Sequence, residues 1–204
     1  MKKIKFILII ILTIPIFGLS QSLENLDYVS PFHNGYAAIK KDNQWAFINT
    51  KGAIVVDFRD DLVATSIDNA YYPIFSEDRC LVIEVKNGIS YFGYIDTSGK
   101  TVIEPQFLNA TNFSKGEAIA LKLIKETVAR NKALGKDVVY YKYFEVTIDT
   151  IGTVGNYLTQ KGVNVVLDKS YLKKPPQITS KHISENLYAI KHKDKTWTII
   201  NYNN

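Results

Sequence analysis

The sequence predicts an all-β fold, an array of antiparallel β-meander repeats that form a solenoid or a partial propeller-like arrangement. Two observations favour this class. The chain holds 13 Tyr and 10 Phe beside many Ile and Val residues, a composition that suits pleated sheets better than helices. A pattern of short strands and polar turns also recurs along the 204 residues, a length sufficient for a sizeable core.

The first 20 residues have the form of a secretory signal peptide. A basic head at Lys2, Lys3 and Lys5 precedes an apolar run over residues 6–17, and small residues precede Gln21. The run is about a dozen residues, whereas a membrane-spanning helix needs roughly 20. We therefore expect cleavage after residue 20, a secreted or periplasmic protein, and no membrane span in the mature chain.

Removal of this segment changes the charge balance. The whole chain has 25 basic and 20 acidic residues, and the leader holds 3 basic and no acidic ones, so the mature chain carries 22 − 20 = +2. A protein this close to neutral has no general electrostatic reason to bind nucleic acid. Cys80 is the one cysteine of the sequence, which excludes an internal disulfide framework.

Four segments begin in the same way and define the copies of the repeat. They are "FHNGYAAIK" from Phe32, "FSEDRCLVI" from Phe75, "FSKGEAIAL" from Phe113 and "ISENLYAIK" from Ile183. Three positions on, each copy has a residue type that tolerates a left-handed backbone: Gly35, Asp78, Gly116 and Asn186. Apolar residues then alternate with a period of two, which is typical of a half-buried strand.

This alignment also explains why a cysteine is found at position 80. It occupies the position that Ala37 and Ala118 have in two sister copies. A small, buried and inert thiol is therefore the preferred interpretation over a nucleophile or a metal ligand.

A second strand follows in each unit, reading "WAFINTKG" from Trp45, "FGYIDTSG" from Phe92 and "WTIIN" from Trp197. In the turn after it, the side chain of Asn49 or Asp96 can form a hydrogen bond with the backbone further along the chain, and a glycine takes the positive-φ position. These glycines are Gly52 and Gly99. Another extended run follows, so each unit is predicted to be a short meander.

The third copy is interrupted by an insertion at about residues 122–155. We expect its turn in "YLTQKGVNVV", Tyr157 to Val166, in preference to "IDTIG", Ile148 to Gly152. The inserted "KETVARNKALGK" predicts a short helix ended by Gly135, and "VVYYKYFEVTID" predicts an added strand.

The units resemble the WG repeat of bacterial exported proteins over roughly residues 28 to 204. The second copy carries most of the pattern, in Phe75-Ser76-Glu77, Phe92-Gly93-Tyr94-Ile95-Asp96, Gly99 and Glu104-Pro105. The tryptophan-glycine pair after which the family is named is replaced by Trp45-Ala46, Phe92-Gly93 and Trp197-Thr198, and the third copy has no clear equivalent. The resemblance implies a β-repeat used in recognition or in the cell envelope, and it implies no catalytic residues.

Few residues of the sequence are candidates for catalysis or metal binding. We interpret His33, His182 and His192 as surface residues, because none has a Cys, His or carboxylate at metal-ligand spacing, and we expect no metal and no cofactor. The acidic pairs Asp60-Asp61 and Glu77-Asp78 are assigned structural roles, although two carboxylates on a cleft could serve glycoside hydrolysis. Trp45 and Trp197 are assigned to packing between units, with a carbohydrate or peptide platform as the alternative.

The insertion carries the candidate binding residues, because insertions in repeat arrays often hold the individual function. These residues are Lys136, Tyr140, Tyr141, Lys142 and Tyr143. Alternatively, the tyrosines only cover the core of the insertion itself. The sequence thus predicts an exported, non-catalytic module that binds a protein or glycan of the cell envelope. A structural or assembly component of the envelope and a hydrolase with carboxylates from distant segments are the alternatives.

Overall fold

The structure is a computed structural model that describes residues 23–132, 135–184, 186–192 and 194–202. The predicted leader, residues 1–20, lies outside this part. The strands are β1 (Tyr28–Val29), β2 (Tyr36–Lys41), β3 (Gln44–Asn49), β4 (Ile54–Arg59), β5 (Thr65–Ile67), β6 (Ala70–Tyr72), β7 (Cys80–Lys86), β8 (Ile89–Ile95), β9 (Thr101–Phe107), β10 (Glu117–Asn131), β11 (Lys136–Asp149), β12 (Val154–Tyr157), β13 (Val163–Val165), β14 (Lys181–Ser184), β15 (Leu187–Lys191) and β16 (Trp197–Asn201).

The strands form several antiparallel sheets, and four of these sheets are built around the predicted repeat units. Unit 1 is the sheet β1-β2-β3-β4, and unit 2 is the meander β7-β8-β9. Unit 3 is β10-β11-β12 with β13 also paired to β11, and unit 4 is β14-β15-β16. The hairpin β5-β6 lies between units 1 and 2 in the chain. The all-β prediction is therefore confirmed.

Units 1 to 3 each start with a tight turn in which two consecutive residues have positive φ. The first three turns centre on Asn34-Gly35, Glu77-Asp78 and Lys115-Gly116, with φ between 50° and 83°. Backbone hydrogen bonds close each turn, as between His33 and Tyr36. Two left-handed residues match the twist of the strands that they join, and Gly, Asn and Asp adopt this backbone most readily. The fourth copy has Asn186 at a φ of 56°, so the predicted left-handed position is confirmed in all four.

A second turn follows the middle strand of units 1 to 3 and has one hydrogen-bond pattern. The side-chain oxygen of Asn49, Asp96 or Asp149 accepts bonds from the N–H groups two and four residues later. A glycine at φ of 76° to 87° completes each turn, namely Gly52, Gly99 and Gly152. The structure therefore confirms the expectation for the first two glycines.

The turn of unit 3 corrects a prediction. It is "IDTIG", because Asp149 makes the same bonds as Asp96, and the preference for Tyr157 to Val166 is wrong. In the later segment the corresponding residue is Thr159, whose hydroxyl oxygen accepts from Glu145 N–H and closes no such turn, and Val163–Val165 pairs with β11. The inserted part thus lies within residues 122–144, and residues 145–155 belong to the repeat.

The predicted helix in "KETVARNKALGK" is also wrong. Those of its residues that the structure describes lie in β10, in the turn after it and at the start of β11, and Gly135 takes a φ of 63°. β10 and β11 pair without interruption from Glu117↔Asp149 to Asn131↔Lys136, except for a bulge at Val128. The β-branched and aromatic residues of β11 supply the partner strand that overrides local helix propensity.

The apolar core is divided among the junctions between consecutive units. Ala38, Phe47 and Val56 of unit 1 cluster with Cys80, Val82 and Ile95 of unit 2. Leu81, Tyr94 and Ile103 of unit 2 cluster with Ala118, Val146 and Ile148 of unit 3. Ile119 of unit 3 clusters with Tyr188 and Ile190 of unit 4. Units 1, 2 and 3 therefore each bury one face of their sheet against the unit that follows.

The first residue of a unit anchors it to the preceding unit. Phe75 packs on Phe47 with ring centroids 4.4 Å apart, and Phe113 packs on Tyr94 at 4.8 Å. The preceding unit also donates a side-chain hydrogen bond to the carbonyl of each anchor, from Asn34 Nδ2 to Phe75 and from Ser76 Oγ to Phe113.

The middle and last strands of units 1 and 2 contain bulges of different size. In unit 2, Phe92 pairs with Phe107 and Tyr94 with Ile103, so the three residues 104–106 lie opposite Gly93. A Cβ atom on Gly93 would lie 2.3 Å from the carbonyl oxygen of Ile103. In unit 1, only the two residues 57–58 lie opposite the corresponding Ala46. The smaller bulge leaves room for a methyl group, which explains why unit 1 can have Trp-Ala at this place.

Gly93→Ala is expected to lower the free energy of unfolding by about 2 kcal/mol or more, because the new methyl group overlaps backbone atoms of β9 that cannot rotate away. Ala46→Gly is the matched control, with an expected loss of about 1 kcal/mol from strand entropy. Urea denaturation of both variants measures the difference. A loss for Gly93→Ala no greater than the control would contradict the account of the bulge.

Asp96→Asn should make the protein less sensitive to acid. The hydrogen bond from Ser98 Oγ, together with backbone bonds, lowers the native pKa of Asp96. A lowered pKa contributes stability above the unfolded value of about 3.9, and this contribution is lost as the pH falls through the native value. The amide of Asn49 makes the same turn without a charge. We therefore expect Asp96→Asn to fold normally and to lose less stability between neutral and acidic pH in thermal unfolding. An acid dependence unchanged from wild type argues against this role.

Candidate functional site

The predicted binding residues of the insertion are divided between two faces of β11. Because side chains alternate along a strand, Tyr140 and Lys142 lie on one face and Tyr141 and Tyr143 on the other. Tyr140 is 55% exposed, and Lys142 Nζ is 2.7 Å from a carboxylate oxygen of Glu126. The backbone of Lys136 pairs with Asn131 near the end of the hairpin, and its side chain lies outside the described part. The five residues do not share one surface.

Tyr143 has a packing role. It lies against the buried cluster of Ile89, Leu108 and Leu121, which joins units 2 and 3. Its backbone pairs with Val163 of β13, and burial raises the pKa of its phenol. Tyr143 therefore covers the junction between units 2 and 3, whereas the alternative interpretation expected a core of the insertion itself, and Tyr140 is exposed.

The tryptophans differ in their surroundings. Trp45 is half-buried and meets Tyr28 edge to face at 5.8 Å, and the corresponding Phe92 is buried. Trp197 is 46% exposed, and the ammonium groups of Lys181 and Lys191 lie 5.3 and 5.6 Å from its ring centre. Packing describes Trp45, whereas Trp197 presents its indole to solvent between two cations.

Unit 4 leaves one sheet face uncovered by the described residues. We call it the unit-4 outer face, formed by Leu187, Ala189, Trp197 and Ile199. Ile199 is paired with Ala189, as Phe47 is with Ala38, Tyr94 with Leu81 and Thr147 with Ile119. The exposed fractions of Phe47, Tyr94 and Thr147 are 1%, 0% and 0%, whereas that of Ile199 is 64%. In units 1 to 3 this position is buried.

A pocket of about 360 Å³ lies between units 3 and 4. Its lining includes Glu117 and Ile119 of unit 3 and Ser180, His182 and Tyr188 of unit 4. The Tyr188 hydroxyl donates a hydrogen bond to Glu117. Burial, followed by this contact with the carboxylate, raises the pKa of Tyr188 and keeps the phenol protonated. His182 is stacked on the Tyr188 ring, with centroids 4.8 Å apart and planes at 13°.

Two polar atoms at this pocket are buried and make no hydrogen bond within the described structure: Ser180 Oγ and His182 Nε2. The surface position predicted for His182 is thus wrong for its Nε2 atom. Of the other histidines, His192 is exposed and lies 2.7 Å from Thr198 Oγ1, and His33 lies 2.9 Å from the Tyr72 hydroxyl. Sequence reasoning missed this pocket because it depends on how units 3 and 4 stack.

Glu145 is a buried carboxylate at the position that Trp45 and Phe92 hold in other units. It is 4% exposed and accepts hydrogen bonds from the Thr179 hydroxyl at 2.7 Å and from the backbone N–H of Thr179 and of Ser180 at 2.9 and 2.7 Å. Because this repeat position is aromatic in units 1 and 2, the charged residue there is a feature by which sequence analysis could have found Glu145. Glu145 fixes the segment that leads into unit 4 and so shapes the pocket.

A groove of about 610 Å³ lies between units 1 and 2 and is rich in carboxylates, among them Asp60 and Asp61. Asp61 is paired with Arg59, whose guanidinium also donates to the carbonyl of Gly99. The hydrogen bond that the Arg59 guanidinium donates to Asp61 is the largest cause that raises the pKa of Arg59. Glu77, of the other acidic pair, accepts a bond from Gly116 N–H at 2.7 Å. Asp61 and Glu77 thus make contacts that join consecutive units.

Within the described ranges, no group of three or more His, Cys, Asp or Glu residues could hold a metal ion. The same residues contain no helix that is long and apolar enough to cross a membrane.

Cys80 is completely buried in the junction between units 1 and 2. Burial is the main cause that raises the pKa of its thiol far above the usual range, so little thiolate exists at neutral pH. The position matches the prediction of a small buried side chain.

Cys80→Ala is expected to cost about 2 kcal/mol or less, because it removes one small atom from a junction that already has Ala at the sister positions. The native Cys80 thiol should also resist alkylation by iodoacetamide until urea unfolds the chain. Mass spectrometry of the treated protein measures this. Rapid modification of folded protein would indicate a reactive thiol.

The comparison with known families agrees with the repeat geometry. No curated protein and no solved structure matches the chain. The family model described as "WG containing repeat" matches residues 25–45 and 92–122. The first match spans the starting turn of unit 1 up to Trp45, and the second runs from the Phe92-Gly93 pair across the junction into β10. These two segments are therefore similar to the WG-repeat family.

Proposed function

We propose that this chain is an exported, non-catalytic β-repeat protein that binds a protein partner of the cell envelope through the unit-4 outer face. Export to a secreted or periplasmic location rests on the form of residues 1–20. N-terminal sequencing of exported material tests it, and an intact Met1 would contradict it.

The observation that carries the proposal is the exposure of Ile199. The corresponding residues of three other units are 0–1% exposed because the following unit covers them, whereas Ile199 is 64% exposed. A repeat unit stabilises its neighbour by burying this face. The same apolar surface is therefore suited to a partner that takes the place of a following unit, at about 25 cal/mol for each Å² removed from water.

The charge around the face favours an acidic partner. Lys181 and Lys191 are exposed, and both place an ammonium group near Trp197. Two copies of the chain that met through this face would bring four ammonium groups together, and like charges suppress association. A partner with an aliphatic centre and flanking carboxylates would instead pair with the lysines. Tryptophan is among the residues that contribute most to binding at interfaces.

The alternative functions have less support. A hydrolase needs two available carboxylates, but Asp61 and Glu77 are engaged with Arg59 and with the backbone of Gly116. An assembly component that stacks with itself would use the unit-4 outer face between copies, and the repulsion between lysines opposes this.

Ile199→Lys is expected to weaken capture of the envelope partner by at least about tenfold, because it places a third charge in the apolar centre. Ile151→Lys is the control, since Ile151 is 72% exposed in the turn of unit 3. Immobilised wild-type and variant proteins are compared for the same partner bands from envelope extract, followed by affinity measurement with the purified partner. Equal capture by the two variants contradicts the proposal. Sedimentation of the wild type identifies a second copy as the partner if a dimer forms and Ile199→Lys dissociates it.

The insertion offers a second surface for the same function, as the sequence predicts. Val138 and Tyr140 lie on one face of β11 and are 40% and 55% exposed. Replacing residues 126–140 by Asn-Gly keeps the Lys125↔Tyr141 pair and should give a folded chain, because a two-residue turn closes a hairpin. We expect capture of the partner to weaken several-fold.

Retention of full affinity by this shortened chain would remove the end of the insertion from the binding mechanism. In that case the unit-4 outer face would remain as the proposed contact. Circular dichroism before the binding assay establishes that the shortened chain is folded.

A further inference from the structure

The pocket between units 3 and 4 contains polar groups that the fold itself does not use. Ser180 is 5% exposed, and its hydroxyl has no hydrogen-bond partner among the described residues. His182 Nε2 is buried in the same way. A buried polar atom left without a partner destabilises a protein by about 1–3 kcal/mol. Folded proteins seldom keep two such atoms side by side unless water or a ligand supplies the bonds.

The surroundings restrict the kind of ligand. The lining contains one carboxylate, that of Glu117, which accepts a hydrogen bond from the Tyr188 hydroxyl. Lys181 also lines the pocket, but its ammonium group lies 5.3 Å from the Trp197 ring centre, at the unit-4 outer face. Inorganic phosphate would face the Glu117 carboxylate, and that carboxylate already has a phenol as its hydrogen-bond donor, so a neutral ligand is favoured. The described residues also provide no group of three or more metal ligands.

The hydrogen-bonding groups favour hydroxyls. A hydroxyl both donates and accepts, so it can bond to the carboxylate of Glu117, to the Ser180 hydroxyl and to either tautomer of His182. Ala118 and Ile119 add apolar surface to the lining, which suits the C–H groups of a sugar ring. The volume of about 360 Å³ lies at the lower end of the range for small-ligand sites.

We propose that this pocket binds one sugar unit of a neutral glycan. Ser180 and His182 form hydrogen bonds with its hydroxyls, Glu117 accepts from it, and Tyr188 holds both Glu117 and His182 in place. The site is separate from the unit-4 outer face, so its occupancy does not depend on the function proposed above.

Titrations with glucose, galactose and N-acetylglucosamine test the proposal, with glycerol and inorganic phosphate as comparison probes. Amide NMR signals of the full mature chain report binding at Ser180, Lys181 and Tyr188. We expect at least one of the three sugars to shift these signals saturably at concentrations below about 50 mM. Glycerol and phosphate should leave them unchanged.

Two variants make the test specific. Ser180→Ala removes a hydroxyl that has no partner, so the denaturation midpoint should stay the same or rise. His182→Phe keeps an aromatic ring against Tyr188 but removes the ring nitrogens. Both variants should weaken sugar binding by about tenfold or more. His192→Phe is the control, because His192 is exposed and outside the pocket, and it should bind the sugar like wild type.

Saturable sugar shifts that both pocket variants weaken and His192→Phe preserves support the proposal. It is overturned if none of the three sugars shifts the pocket signals, if both pocket variants bind as tightly as wild type, or if glycerol or phosphate binds as well as the sugars.

Discussion

The packing of each sheet face on the following unit is the interaction on which the remainder of the structure depends. A single repeat unit cannot bury its own apolar face, so it depends on stacking with its neighbours. Here the three junctions contain most of the large buried side chains, and Phe75 and Phe113 fix two of the junctions through ring contacts and through hydrogen bonds to their carbonyl groups. The turns and bulges set the position of the strands so that these faces meet.

The same arrangement explains why unit 3 tolerates a long insertion. An antiparallel hairpin can be lengthened at its end without a change in register near its base. Glu117 still pairs with Asp149, and Val146 and Ile148 still occupy the junction with unit 2. The added part of the hairpin then acquires its own cover from β13 and the cluster around Leu121. The insertion thus lies at the end of a hairpin that the packing between units does not constrain.

Local sequence predicted the features that depend on one or two neighbouring residues. The left-handed positions, the glycine turns after Asn49 and Asp96, and the buried place of Cys80 follow from residue type and spacing. The helix expected in the insertion failed because pairing with β11, a contact distant along the chain, outweighed local propensity. Glu145 and the pocket also escaped detection, since the hydroxyl and N–H partners of Glu145 lie 34 and 35 residues away and no short motif contains them.

Among the described residues, unit 4 contacts a neighbouring unit on one side only, as unit 1 does, whereas units 2 and 3 have two such neighbours. In a stack held by nearest-neighbour contacts, a unit such as unit 4 with one junction opens at a lower free energy than a unit with two. The fraction of molecules in which unit 4 is closed then depends on its partner. A partner that recognises only the closed form shifts the opening equilibrium by mass action. Recognition at the exposed end would therefore also act as a local folding step, and the rigidity gained there would reach the segment that Glu145 holds.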